Sequence, residues 1–307
     1  MENGSVFLKH EISTSLAGLL RGVGLTEALS AVKEAGFRRL DFPISVFSRP
    51  VDSPLKSSQW RQWTKELKSR LDGEGFTVTQ AHASWEQAIP QDFREEDPFE
   101  VYYRTVEACR TLGCSRLVFH APLYFFPTPE TATQERIHRW NVTWFRKLLP
   151  ILEEFSVTAE LENTFDYRRV WREGDPTFTY TTAPQMLRLM EELDSPRFRL
   201  CLDTGHANIA GQNPMDMIAS YGKNLEVLHL NDNFGFIRPV YEDLHLLPGH
   251  GNLPWVSIFD ALKNMDYQGN FNLEPVGALP NLPHELQVIQ LRAAREFIEA
   301  LAKSVGF

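Results

Sequence analysis

Residues 198–206 read FRLCLDTGH, a short apolar run that ends on Asp203, with a glycine and a histidine just beyond it. A run of this length and composition, bounded by turn residues, predicts a buried strand of a parallel sheet. Three other segments repeat the pattern. TAELEN at 158–163 ends on Glu162, LEVLHLND at 225–232 carries His229, and NFNLEP at 270–275 ends on Glu274. Each acid or imidazole therefore falls near the carboxyl end of a strand, where α/β barrels build their active sites. Two Glu, one Asp and one His form an oxygen-rich donor set suited to a divalent ion such as Mn²⁺, Mg²⁺ or Zn²⁺. Any one of them reads equally well as a polar residue exposed past a strand end. All of them together do not, because carboxylates buried side by side without a cation repel strongly.

Outward from these segments, the whole chain alternates between two periodicities. Candidate strands at 7–12, 38–43, 77–82, 116–120, 157–162, 198–203, 225–230 and 269–274 take turns with helical spacing. The helical segments are 25–35, 58–72, 98–112, 134–154, 183–194, 213–221, 254–264 and 284–304. This α/β alternation predicts a single (β/α)8 TIM barrel over residues 1–307. The loops agree with it. Helix-to-strand connections are terse and marked by glycine, as in AGF at 35–37, EGF at 74–76 and LGC at 112–114. Strand-to-helix connections are long, at 83–97, 121–133, 163–182 and 231–253, which predicts one functional and one structural face.

Composition narrows the function classes. Of the 307 residues, 43% are hydrophobic and 23% charged, the balance of a soluble globular protein. A formal charge of −9 opposes nucleic acid or an anionic membrane as a partner. Cys109, Cys114 and Cys201 form no CxxC pair and read as reduced structural thiols, which suits a cytoplasmic location. The N-terminal stretch shows no signal-peptide pattern, and no apolar run is long enough for a membrane span.

Strand parity adds detail, since residues two apart share a face. Glu160 shares one with Glu162, which leaves Glu160 either in an inner ion pair or as a replacement ligand. His82 and His120 close the third and fourth strands, His206 follows Asp203 by three residues, and DLHLLPGHG supplies Asp243, His245 and His250. For His82, His120, His206 and His245 the expectation is substrate hydrogen bonding or support of a metal. His138 and His284 are expected to be solvated, and His10 lies within the first candidate strand. Trp85, Tyr124, Phe125, Phe126, Phe165, Tyr167, Trp171, Phe234 and Phe236 populate the functional-face loops, where rings pack on sugar C–H faces or on one another. Arg168, Arg169 and Arg172 could meet a phosphate or carboxylate, but beside Asp166, Glu173 and Asp175 they read first as a solvated salt-bridge patch.

The series VTAELEN, LCLDTGH, VLHLND, DLHLLPGHG and FNLEP resembles the sugar phosphate isomerase/epimerase family of xylose-isomerase-like barrels. The likeness runs from the first strand to the last helix, and D-x-H-x-x-P-G-x-G is its most specific part. It implies one divalent metal ion, Mn²⁺ first and Zn²⁺, Mg²⁺ or Co²⁺ after it, held by Glu162, Asp203, His229 and Glu274. It also implies Glu162 and Glu274 as an acid/base pair that moves a carbon-bound proton through a metal-stabilised enediolate. His82, His120, His206, His245, Trp85 and Asp243 would then contact a small sugar substrate. The family's epimerases place an arginine six residues past the metal-binding histidine. Here that position is Gly235, with Arg238 nearby, so the sugar is not named by the resemblance. A homo-oligomer is compatible with such a barrel.

Two other functions share these residues. A lyase of the same fold, of a keto-inositol, dehydroshikimate or 3-keto-glycoside type, would use the same ligands. A trinuclear zinc nuclease of the apurinic endonuclease kind would use His82, His120, Glu162, Asp203, His206, His229, Asp243, His245 and Glu274. The negative charge opposes that second option, as does the absence of a small, glycine-rich continuation after Glu162.

Overall fold

Alternation along each strand separates two environments. In β5 (Thr158–Glu162), Ala159 and Leu161 enter the main hydrophobic core, while Glu160 and Glu162 take the opposite face. The computed structural model describes residues 10–48, 53–83, 98–121, 134–165, 180–235, 243–277 and 279–307. Within them the other strands are β1 (Ile12–Ser15), β2 (Arg39–Pro43), β3 (Thr77–His82) and β4 (Arg116–His120). They continue with β6 (Phe198–Asp203), β7 (Leu225–His229) and β8 (Phe271–Leu273). The strands pair in parallel in the order β7-β6-β5-β4-β3-β2-β1-β8. Closure comes just past β7, where Leu230 N–H donates to Asn272 O at 2.8 Å and Glu274 N–H donates to Leu230 O at 3.1 Å. The result is a TIM barrel.

Helices cover the outside: α1 (Leu25–Glu34), α2 (Trp60–Gly73), α3 (Pro98–Thr111), α4 (Gln134–Phe155) and α5 (Ala183–Leu193). They are followed by α6 (Thr204–Ile209), α7 (Pro214–Tyr221), α8 (Trp255–Asn264) and α9 (His284–Val305). The outward strand residues Leu40, Phe42, Leu117, Phe119, Leu200, Leu202 and Leu228 join one continuous core with Leu29, Val32, Phe145, Ile258 and Ile298 of the helices. A second, small apolar cluster of Val118, Cys201 and Val227 lies apart from it. These three share parity with Glu160, Asp203 and His229, so they floor the barrel interior beneath the polar strand ends. Gly36, Gly75 and Gly113 adopt positive φ at the terse helix-to-strand turns, where a left-handed residue ends a helix cheaply only without a Cβ.

Two expectations need correction, and one helix was not foreseen. Among the described residues the first strand runs Ile12–Ser15, so His10 precedes it, and residues 7–9 of the expected strand lie outside the described residues. The polar ISTS segment becomes a strand because β2 and β8 offer a ladder on both sides, a tertiary effect that outweighs local propensity. His138 is buried and not solvated. It shares the inner face of α4 with Ile137, Asn141, Val142 and Phe145, and its Nδ1 and Nε2 lie 3.0 Å from Tyr180 Oη and 2.9 Å from Glu192 Oε1. Helix α6 had no forerunner in the periodicity, because one and a half turns are too short to show one. His284 is exposed beside Glu34, as expected, and His10 packs among Tyr267, Phe271 and Phe307. Among the described residues no helix is long and apolar enough to cross a membrane.

Candidate metal centre

The parallel register aligns the strand ends that the sequence singles out. His120 sits opposite Glu162 across β4 and β5, and Asp203 opposite His229 across β6 and β7. Glu162, Asp203, His229 and Glu274 each present a ligand atom to a common point, all within 4.8 Å of one another, and all four are buried. His229 Nδ1 lies 3.0 Å from Glu162 Oε1 and 3.5 Å from Glu274 Oε2. Further groups flank this one. His82 Nε2 and His120 Nε2 approach Glu162 Oε2 at 3.3 and 2.7 Å. On the other side Asp243 Oδ2 lies 3.4 Å from His206 Nε2 and 2.8 Å from His245 Nε2. His82–His120–Glu162 and Asp203–His206–His245 each satisfy the same 4.8 Å criterion. The imidazoles form a continuous arc, His229–His82–His120–His206–His245, with centroids between 5.0 and 5.9 Å apart.

Burial and charge then set the protonation of the cluster. Burial opposes ionisation of Glu162, yet His120 and His229 outweigh it and hold the carboxyl well below the usual range. Glu274 is drawn down to about 2, against the same burial, by His229 and His245. For Asp203 burial wins even beside His206, and the pKa climbs to about 7. Burial alone would lower His206, but Asp203 and Asp243 raise it to about 10. Glu162 and Glu274 are therefore ionised at neutral pH, while Asp203 stands between its two forms.

The motifs around the donors are the scaffolding that aims them. Asp203 caps α6, accepting His206 N–H on Oδ1 at 2.6 Å, and its Oδ2 accepts from Asn231 Nδ2 at 2.7 Å. Asn163 clasps the backbone of Asp203 from both sides, at 3.0 and 2.8 Å. A Cβ on Gly205 would fall 1.9 Å from Asn231 Oδ1, so the glycine of DTGH makes room for the asparagine of LND. Asp232 gathers the next loop, accepting from Gly249 N–H, Leu253 N–H and Trp255 Nε1–H at 3.0, 3.2 and 2.8 Å. Gly251 passes so close that a Cβ would lie 2.2 Å from Asp232 Oδ1. That loop delivers His245, whose backbone is held at φ 43°, a costly conformation for a residue with a Cβ.

The donors fit a divalent cation. They are oxygen-rich and converge, and Glu274 Oε2 is buried facing the imidazole nitrogens of His245 and His229 at 3.2 and 3.5 Å. The chain also matches the model of the xylose isomerase-like TIM barrel family over residues 29–297. It belongs to that family. A D-psicose 3-epimerase of Enterocloster bolteae is 34% identical over 130 residues, 42% of this chain and 37% of that protein. An inosose dehydratase of Geobacillus kaustophilus is 30% identical over 132 residues, 39% of this chain and 42% of that one. Such matches span only about two fifths of these relatives' length. The crystal structure of the IOLI protein with a bound zinc atom shares the fold at a TM-score of 0.73 and 18% identity, over 95% of this chain and 98% of that one.

Within this xylose isomerase-like barrel, the structure brings together Glu162, Glu274, Asp203, His229, His82, His120, His206, His245 and Asp243. Trp85 lies outside the described residues, as do Tyr124, Phe125, Phe126, Tyr167, Trp171, Phe236, Arg238, and the Arg168, Arg169 and Arg172 group with Asp166, Glu173 and Asp175. His250 is exposed on the loop and does not reach the cluster. Phe165 is buried with its ring 5.1 Å from that of His206, whereas Phe234 is exposed. Among the described residues Glu160 takes neither role expected of it: it joins none of the donor groups, and Arg116 and Arg199 pair with Glu226 instead. The residue that sequence reading missed is Asp41. It lies in the middle of β2, fully buried, with Oδ2 3.4 Å from His229 Nε2. The signal was present, an acid inside the apolar run RRLDFP, but it does not stand at a strand end.

Proposed function

We propose that this barrel isomerises or epimerises a small sugar, or a sugar derivative, by proton transfer at a carbon next to a carbonyl. The observation that carries the reading is the convergence of Glu162, Asp203, His229 and Glu274 on one buried point. These four would hold the metal. A divalent ion bound there supplies Lewis-acid stabilisation of the negative charge that develops on substrate oxygens when the proton leaves. Glu162 and Glu274 are both in the base form at neutral pH, so either can accept the proton and the other, once protonated, can return one. His206, His82, His120 and His245, with Asp243, would orient substrate hydroxyls, and the buried wall of the site would exclude water. The epimerase and dehydratase relatives support both proton transfer and elimination here, and removal of a proton next to a carbonyl can start either. Loss of water from the product distinguishes the second.

A second reading rests on the flanking donor groups His82–His120–Glu162 and Asp203–His206–His245. Together with the central group they would suit a hydrolase with three zinc ions acting on a phosphodiester, although the charge of −9 disfavours a duplex. One experiment tests both. Metal per chain is counted by plasma mass spectrometry after dialysis, and ketoses are then incubated with the protein in deuterated water. About one Mn, Zn, Co or Mg per chain, with solvent deuterium entering the sugar, supports the first reading. About three zinc ions and cleavage of abasic DNA replace it with the second. No metal, even after adding Mn²⁺, overturns both.

A further inference from the structure

His229 is flanked on both of its nitrogens. Its Nδ1 faces Glu162 and Glu274, the donors of the central group, at 3.0 and 3.5 Å. Its Nε2 points the other way, toward Asp41 Oδ2 at 3.4 Å, and both residues are fully buried. Asp41 does not belong to any of the converging donor groups. It is held instead by amides of β3 and β8. Gln80 Nε2 donates to its Oδ2 at 3.3 Å and Asn272 Nδ2 at 3.2 Å, while Ser13 Oγ–H donates to Asn272 Oδ1 at 2.8 Å. Residues of β1, β2, β3 and β8 thus fix a carboxylate directly behind the imidazole of β7. A carboxylate buried this deeply is costly unless a partner uses it, and two neutral amides leave its charge unanswered.

We infer that Asp41 is the positioning residue of His229: it accepts the Nε2 proton, so that the imidazole turns its bare Nδ1 toward the metal point. An imidazole that binds a cation through one nitrogen keeps its proton on the other, and a carboxylate behind that proton fixes the ring orientation and raises the basicity of the ligand. In this arrangement Asp41 stands behind the imidazole and acts through His229. The inference rests on the metal reading of the preceding subsection and adds to it which atom of His229 binds and why. It also gives a reason for the acid in RRLDFP, which the four-donor arrangement does not require.

The test uses the full-length protein, wild type and with Asp41→Leu or Asp41→Asn. Zinc affinity is measured by competition with a chromophoric chelator, and the imidazole protons of zinc-loaded, ¹⁵N-histidine-labelled protein are read by NMR. In wild type a His229 Nε2–H resonance is expected downfield and slow to exchange. In Asp41→Leu it moves upfield and zinc dissociation rises about 10–100-fold; Asp41→Asn, which still offers an accepting oxygen, recovers part of both. A residue that merely filled space would change the melting temperature and leave that resonance in place. If Asp41→Leu does not fold, the nearly isosteric Asp41→Asn decides, with a rise in the zinc dissociation constant of about threefold or more expected. Zinc affinity and the Nε2–H resonance both unchanged in the folded variants would overturn the inference. A wild-type protein that takes up no metal would overturn the reading beneath it, an outcome separable from the first because it appears before any substitution.

Discussion

At the amino-terminal end of the barrel, Arg39 pairs with Glu11, and Arg116 and Arg199 share Glu226, with side chains 29–50% exposed. At the carboxyl end, Asp41, Glu162, Asp203 and Glu274 are at most 6% exposed, and their ion-pair partners among the described residues are histidines. The same strands carry charge inward at both ends, with opposite solutions. Below, guanidinium groups answer carboxylates in reach of water, where each pair is worth little and needs nothing more. Above, the excess of buried acid is balanced only by protons or by an added cation. Glu160 lies between the two regimes. Burial, reinforced by Glu226, pushes its carboxyl well above the usual range despite Arg116 and Arg199.

The largest expected effect comes from breaking the upper end. Glu274→Gln or Glu162→Gln should lower deuterium exchange into substrate by about 10³-fold or more, with an unchanged far-UV circular dichroism spectrum. Turnover at the wild-type level in either variant would remove the contrast between the two ends. Next in size is metal removal. With free metal at about 100 times its dissociation constant, chelation should cost wild type about 2.7 kcal/mol, seen as a lower melting temperature. Glu274→Gln should lose most of this response.

A pH series sharpens the comparison further. Asp203 is pushed up by burial to about 7 in the folded protein, against an ordinary value of 3.8. The metal-free folded state therefore binds more protons than the unfolded chain between these values. Stability from this group is fully present below about pH 4, falls as the pH rises to about 7, and is level above that. Asp203→Asn should flatten the curve of melting temperature against pH in that window, and an unchanged slope would refute the assignment. The smallest effect belongs below. Glu160→Gln is nearly isosteric and removes an acid whose charged form burial already disfavours, and Glu226→Gln loosens half-exposed pairs, so each should change stability by about 1 kcal/mol or less. Neither should alter metal content. A fall in metal content on Glu160→Gln would move Glu160 into the donor set.

Much of the site was legible along the chain, for a physical reason. A parallel strand buried on both faces reads as an apolar run, so an acid or imidazole at its end stands out against its neighbours, as at Asp203 and Glu274. Asp41 stood out less because it interrupts its run in the middle, where a single acid is also what a misplaced strand would show. His138 was misread because one polar residue on an amphipathic helix carries no mark of which neighbour awaits it; Tyr180 lies 42 positions away.

The sequence by itself determined the alternation of strands and helices, the barrel that follows from it, and which acids and imidazoles stand at the carboxyl ends of the strands. Period and parity are properties of the local backbone and need no partner to be read. Only the tertiary structure decided which nitrogen of His229 faces Glu162, that Asp41 stands behind the other, and that Asn231 and Gly205 share one space to aim Asp203. Those facts are distances between residues on different strands, set by the register in which the barrel closes.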